Sequence, residues 1–228
     1  MTINKKEVGI NWGTTTWTYD NTEYTVSPTA TGVESGDTCT FTVVNNKRTR
    51  SGTQTVEITG ISNSNYKLPT SGLSTTMTIN KKAVTITWGT VSWTYDKTAH
   101  TATATANGIC TGDTYNLTYS GNTRTDAGSQ TASVTGITNG TGGWSDYSLP
   151  SDTSQSITVL QREITISWGT VTWTYDETEH TVSPTAGNVC SGDTVTITVS
   201  NNKRTNAGSQ TVTATAVSNG NYKLPSSV

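Results

Sequence analysis

Bulky apolar side chains are scarce. The 228 residues include one phenylalanine, Phe41, and hydrophobic residues make up 31%. That argues against one large core and for several small ones, each near the lower size at which a domain folds alone. Charge is scarce as well. Charged residues are 13% and the net charge is −2, so no basic stripe exists to hold a phosphate backbone, and nucleic acid is not expected as a partner. No apolar run is long enough to span a bilayer. Asn4-Lys5-Lys6 is not followed by an apolar block, so no signal peptide is read at the start, and the expectation is a piece of a longer exported protein. The three cysteines, Cys39, Cys110 and Cys190, form no Cys-x-x-Cys pair and no cluster with histidine. A structural zinc is therefore not expected, no other metal or cofactor is implied, and an odd count spread over the chain reads as free thiols.

What the sequence has is repetition. Trp12-Gly13-Thr14 with Trp17-Thr18-Tyr19-Asp20 returns as Trp88-Gly89-Thr90 with Trp93-Thr94-Tyr95-Asp96, and again as Trp168-Gly169-Thr170 with Trp173-Thr174-Tyr175-Asp176. The first tryptophans stand 76 and then 80 residues apart. Gly36-Asp37, Gly112-Asp113 and Gly192-Asp193 keep step, as do Arg48, Arg124 and Arg204. A period this long suits a whole small domain per repeat. The divisions are 1–80, 81–160 and 161–228.

Within a repeat the periodicity is two. Val84, Ile86 and Trp88 alternate with Thr85 and Thr87, which predicts a strand with one buried face. Asp96-Lys97-Thr98, Thr111-Gly112-Asp113 and Asp126-Ala127-Gly128 punctuate the chain between alternating segments, the pattern of successive hairpins. Six or seven short strands per repeat and no helical periodicity predict an all-β fold of three tandem small antiparallel β-sandwich domains. A β-grasp-like unit or a small barrel is the alternative. The short joints at Lys81-Lys82 and Gln161-Arg162 leave little slack, so the domains are expected in an extended row.

The order Ile-Thr-Ile-x-Trp, Trp-Thr-Tyr-Asp, Ser-Gly-Asp-Thr, Ala-Gly-Ser-Gln-Thr-Val and Asn-Tyr-Lys-Leu-Pro resembles the bacterial Ig-like repeats of the YDG/MBG type, which stand in tandem in surface proteins and adhesins. The resemblance covers all three copies. It departs at Asn21, Lys97 and Glu177, where those repeats often have glycine, and at Gln54, Gln130 and Gln210, where they often have tyrosine. It implies an extracellular location on a bacterial cell surface and a non-catalytic stalk or adhesin segment, spacing or presenting a binding region, with weak multivalent contacts to a host glycan or glycoprotein. A phage or virion-surface attachment protein built from the same unit is the alternative. The resemblance carries no catalytic residues.

Candidate chemistry is sparse. His100 and His180 occupy one equivalent position, filled by Tyr24 in repeat one, and no nucleophile and orienting group accompany them. The paired tryptophans Trp12/Trp17, Trp88/Trp93 and Trp168/Trp173 recur in every copy and are expected in the cores. Trp144 differs. Repeat two carries an insertion, which puts Tyr147 81 residues after Tyr66 rather than 76. A tryptophan in the Gly-rich loop Asn139–Asp146, present in one copy only, marks Trp144, Asp146 and Tyr147 as possible ligand contacts, on the pattern of a carbohydrate-binding module. The other reading is that Trp144 folds back over a neighbouring repeat. Finally, Met77–Asn80 and Ile157–Val159 are expected to close their repeats. Met1-Thr2-Ile3-Asn4 matches this strand with no repeat before it, and repeat three stops before its own. Either the segment is cut out of register from a longer array, or Met1, Thr2, Ile3 and Asn4 self-associate head to tail by strand donation.

Overall fold

Every regular element among the described residues is a strand, as the alternating pattern requires, and no helix is long and apolar enough to cross a membrane. The computed structural model describes residues 1–140 and 142–226. It divides into two compact units. The first is Met1–Thr87 with Ala106–Thr118 and Thr135–Thr153, and the second is Trp88–Thr105 with Tyr119–Val134 and Ser154–Val228. The boundary falls inside the second sequence repeat. Likeness of sequence and closeness in space thus divide the chain differently.

In the first unit, Thr16–Thr18, Ser74–Asn80, Gly52–Ile61 and Phe41–Val44 form one sheet in that order. Gly52–Ile61 turns Gln54, Val56 and Ile58 inward and Thr55, Glu57 and Thr59 outward, the period-two pattern of a strand with one wet face. Ser74–Asn80 is an inner strand with a partner on each side. It pairs antiparallel with Gly52–Ile61, Met77 opposite Gln54, and parallel with Thr16–Thr18, Ile79 opposite Trp17. The pairing is therefore mixed rather than wholly antiparallel. A parallel partner needs a long crossover, and the chain between residues 18 and 74 supplies one. Met77 and Ile79 are buried with Tyr19, Val26 and Val56 in one cluster.

The tryptophans line this core rather than fill it. Trp17 is half-buried and stacks on Tyr24 at 5.0 Å. In the second unit Trp93 and Trp173 stack in the same way on His100 at 5.1 Å and His180 at 5.0 Å. The histidine position is thus an aromatic cap on an indole. Its Nε2 lies 3.0 Å from Asp96 Oδ1 or Asp176 Oδ1, and the Tyr24 hydroxyl donates to Asp20 at 2.6 Å. The largest side chains buried completely are tyrosines, Tyr19, Tyr147 and Tyr222, and their hydroxyls find hydrogen-bond partners inside.

Glutamine and arginine form a clamp that is built three times. Gln54 Nε2 donates to the Asn45 and Lys47 carbonyls, Gln130 Nε2 to those of Gly121 and Thr123, and Gln210 Nε2 to those of Asn201 and Lys203. Each amide oxygen faces its arginine, Arg48, Arg124 or Arg204, at 3.3 to 3.5 Å. The same arginines donate Nη2 to the carbonyls of Ser51, Ala127 and Ala207. Glycine must follow, since a Cβ at Gly128 would lie 2.3 Å from Arg124 Nη2.

In the second unit, Ser92–Thr94 pairs parallel with Ser154–Leu160, and the latter pairs antiparallel with residues 128–133. Ile157 and Val159 are buried as Met77 and Ile79 are. The third repeat departs from this plan. Among the described residues neither Val171–Tyr175 nor Gly208–Val212 is a strand, and no strand pairs with either segment.

Candidate functional site: two repeat junctions and an open groove

The first junction belongs to the first unit. Trp17-Thr18-Tyr19 leaves its strand so that Tyr19 points past the end of repeat one. Its hydroxyl donates to Asp113 Oδ2 at 2.8 Å. Tyr147 donates to the same oxygen at 2.5 Å and accepts from the Cys110 amide at 3.0 Å. The two rings meet edge to face at 5.5 Å, a favoured quadrupole arrangement. Burial, and then the bond to the Asp113 carboxylate, push both phenols far above the usual tyrosine range. Beside them Arg50 Nη1 donates to Asp146 Oδ2 at 2.8 Å, and the Ser51 amide donates to Asp146 Oδ1 at 2.8 Å. That bond to Asp146 raises the Arg50 pKa.

The second junction, in the second unit, repeats the plan with other side chains at its rim. Tyr95 and Tyr222 donate to Asp193 Oδ2 at 2.9 and 2.7 Å, and the rings meet at 5.4 Å. The Cys190 amide donates to the Tyr222 hydroxyl at 2.9 Å. Lys97 pairs with Asp193 at 2.8 Å. The Lys97 ammonium first, and then the Tyr222 hydroxyl, hold the Asp193 carboxyl below the usual range. Where Asp146 meets Arg50 and Ser51, Asn221 accepts from the Ala127 amide at 2.7 Å and donates to Asp126 at 3.0 Å.

Asn21, Lys97 and Glu177 have positive φ, 70°, 70° and 65°. From this left-handed position Asn21 reaches the Thr111 carbonyl at 3.4 Å and Lys97 the Ser191 carbonyl at 3.0 Å. These are the adjustable contacts of a junction whose tyrosine–aspartate–tyrosine centre is constant.

The three residues marked in the sequence fall here. Asp146 and Tyr147 are buried and engaged in the first junction. Trp144 is 53% exposed, and the Arg50 guanidinium lies 5.8 Å from its ring centroid. The indole thus folds over Arg50 while keeping a free face. Sequence reasoning missed Tyr19, Asp113 and Arg50. The signal was present in the spacing, since Tyr-Asp and Gly-Asp recur in every copy, but a strand pattern gives no sign that they meet across a joint.

Chemically the junctions are closed. Each carboxylate accepts from two tyrosines that keep their protons, and the Cys110 and Cys190 thiols stand beside Tyr147 and Tyr222. Among the described residues no three His, Cys, Asp or Glu side chains group to hold a metal, and all three cysteines are free thiols. A groove of about 560 Å³ lies in the third repeat, walled by Val171, Trp173, Tyr175, Arg204, Gln210 and Val212. No family model, no curated protein and no solved structure matches the chain.

Proposed function

We propose that the chain is a non-catalytic repeat segment of a bacterial surface protein, of the YDG/MBG Ig-like type, that spaces or presents a binding region. The observation that carries this reading is the junction built twice, Tyr19–Asp113–Tyr147 and Tyr95–Asp193–Tyr222. An enzyme uses buried carboxylates and phenols to move protons. Here two copies of the same group are spent on joining one repeat to the next. The positive φ at Asn21, Lys97 and Glu177 supports the resemblance, because glycine takes that conformation at least cost. Stiff joints suit a spacer, and copies in series give avidity to weak contacts.

Scattering in solution tests the spacer reading. Three domains in line reach roughly 100 Å, which gives a radius of gyration of about 29 Å, against about 17 Å for a compact chain of this length. A value near the smaller figure overturns the reading. Binding to a host glycan or glycoprotein rests on the free face of Trp144, since Asp146 and Tyr147 are occupied. Retained glycan-array binding in Trp144→Ala would remove that assignment.

A further inference from the structure

Between Thr29–Thr31 and Phe41–Val44 repeat one has a cleft of about 450 Å³. Pro28, Ala30, Cys39, Phe41 and Val43 line it, and all belong to the first unit. Thr29–Thr31 pairs on one edge only, with Gly9–Asn11, and its other edge borders the cleft. The counterparts in repeat two stand 76 residues on: Ala104, Ala106, Tyr115, Leu117 and Tyr119. There two phenols cap the corresponding strand. The Ala106 amide donates to the Tyr115 hydroxyl at 3.1 Å, and the Ala104 amide to the Tyr119 hydroxyl at 3.1 Å.

The differences between the repeats come in pairs. Repeat one has Pro28 for Ala104 and Val43 for Tyr119, and repeat three has Pro184 and Val199 at these places. Proline carries no N–H, so donor and phenol are lost together. At the second place they are not. Ala30 keeps the amide of Ala106, but Cys39 replaces Tyr115. Repeat one thus lacks both phenols and gains one ring, Phe41 for Leu117, which leaves the space of one ring beside Cys39. Repeat three differs, since Val195 at this position packs against its core. The cleft also lies apart from a junction face. Where repeat one meets repeat two, the hydrogen bonds go to Thr111, Asp113, Ser145 and Asp146, and none of these is the counterpart of a cleft residue.

We infer that the cleft of repeat one is a binding site for a small para-substituted phenol. Its ring takes the place that the Tyr115 side chain holds in repeat two, and its oxygen accepts from the Ala30 amide. This goes beyond the spacer reading and does not depend on it. The residues at the cleft set the chemistry. Pro28, Phe41 and Val43 supply apolar walls for a ring, and a few placed polar groups fix the orientation of a ligand in such a site. The edge amide is the polar group here. A ligand that covered it without an acceptor would leave a donor unpaired, at a cost in free energy. A phenol meets both demands, as Tyr115 does in repeat two. Cys39 is a free thiol and half-buried, and its small side chain is what leaves the room.

Titration of the full chain with p-cresol, followed by NMR, tests the inference. The Ala30 amide proton should move downfield and saturate with a roughly millimolar dissociation constant, the range open to so few atoms. Toluene offers the same ring without the oxygen and should bind roughly tenfold more weakly. Cys39→Tyr puts the phenol of repeat two into the cleft. It should abolish p-cresol binding and raise the melting temperature. Tyr115→Cys makes the opposite change and should open a second site, read at the Ala106 amide. No shift at Ala30 up to the solubility limit of p-cresol overturns the inference, and so does binding that survives Cys39→Tyr. Toluene binding as tightly as p-cresol would show a merely apolar cleft and overturn it equally. Should Cys39→Tyr fail to fold, a folded Tyr115→Cys chain that gains no second site decides against the placement of the ring.

Discussion

Tyr147→Phe removes one oxygen atom from the first junction and isolates what that oxygen contributes. The hydroxyl donates to Asp113 Oδ2 at 2.5 Å and accepts from the Cys110 amide at 3.0 Å. A hydrogen bond to a charged group is worth about 1.5–3 kcal/mol, and a buried amide left without an acceptor costs about 1–3 kcal/mol. Together these set the loss at about 3 kcal/mol, since the ring stays and no cavity forms. For a chain of this length that lowers the melting temperature by roughly 9 °C. Tyr66→Phe makes the same change where Asp37 is exposed and water can replace the hydroxyl, so it should cost clearly less. A cycle with Tyr19→Phe adds a sharper test, because both phenols share one carboxylate oxygen. The two losses should depart from additivity by about 0.5 kcal/mol or more. Thermal melts followed by circular dichroism, with urea midpoints for the cycle, measure all of this. If Tyr147→Phe melts within a degree or so of the parent, or the cycle is additive, the junction is solvated and the reasoning fails.

Three further outcomes follow from the same geometry. Ile157→Ala should cost about 2–5 kcal/mol in urea unfolding, as buried aliphatic truncations do, and should exceed the cost of Trp173→Ala, whose ring is part exposed; the reverse order would return the tryptophans to the core. Glu177→Gly should raise stability by about 1 kcal/mol, by removing a side chain from a left-handed backbone position that no contact repays; a lower urea midpoint would count against the φ argument. Tyr19, Tyr95, Tyr147 and Tyr222 all have raised pKa values, while the unfolded chain ionises near the ordinary value of about 10. Their stabilisation is therefore complete below about pH 10 and is lost as pH rises through the raised folded values. Urea midpoints should fall above about pH 10, and tyrosinate absorbance from these four should appear only with unfolding; ionisation of all nine tyrosines near the ordinary value in a folded chain would refute it.

The all-β class was legible because alternation is a local signal: Val84, Ile86 and Trp88 point one way wherever the rest of the chain lies. The closing strands were legible for the same reason, and Ser74–Asn80 and Ser154–Leu160 contain the segments expected. The mixed pairing was not, because parallel or antiparallel direction depends on a crossover more than fifty residues long and leaves no mark at residues 16–18. Trp12, Trp17, Trp88 and Trp93 pack against the cores as expected but stay half-buried. An indole buries more area than a phenol, but Tyr19 has Asp113 to satisfy its hydroxyl and can go fully inside, whereas Trp17 rests on the ring of Tyr24. Asp146 and Tyr147 were singled out as an insertion next to Trp144. Their true partners, Arg50 and Asp113, lie about ninety-six and thirty-four residues away, a distance that no periodicity spans.

The two junctions share their centre and differ at the rim, and the difference orders the repeats. Repeat one leaves with Asn21 and Arg50, which meet the Thr111 carbonyl and Asp146 of repeat two. Repeat two leaves with Lys97 and Asp126, which meet Asp193 and Asn221 of repeat three. Placing a copy of repeat two after itself would set Asp126 against Asp146, two carboxylates at a half-buried site, where like charge is strongly disfavoured. Placing repeat three directly after repeat one would leave Arg50 opposite Asn221 without its counter-charge. A constant tyrosine–aspartate–tyrosine centre thus supplies the attachment, and the variable rim selects the neighbour, by the same use of repulsion that sets partner choice in other repeated interfaces. Exchanging Asp126 and Arg50 in one chain, Arg50→Asp with Asp126→Arg, should weaken both junctions, although the doubly substituted chain keeps the same net charge. If the exchanged chain melts as the parent does, the rim carries no selection and the order of the repeats is not encoded there.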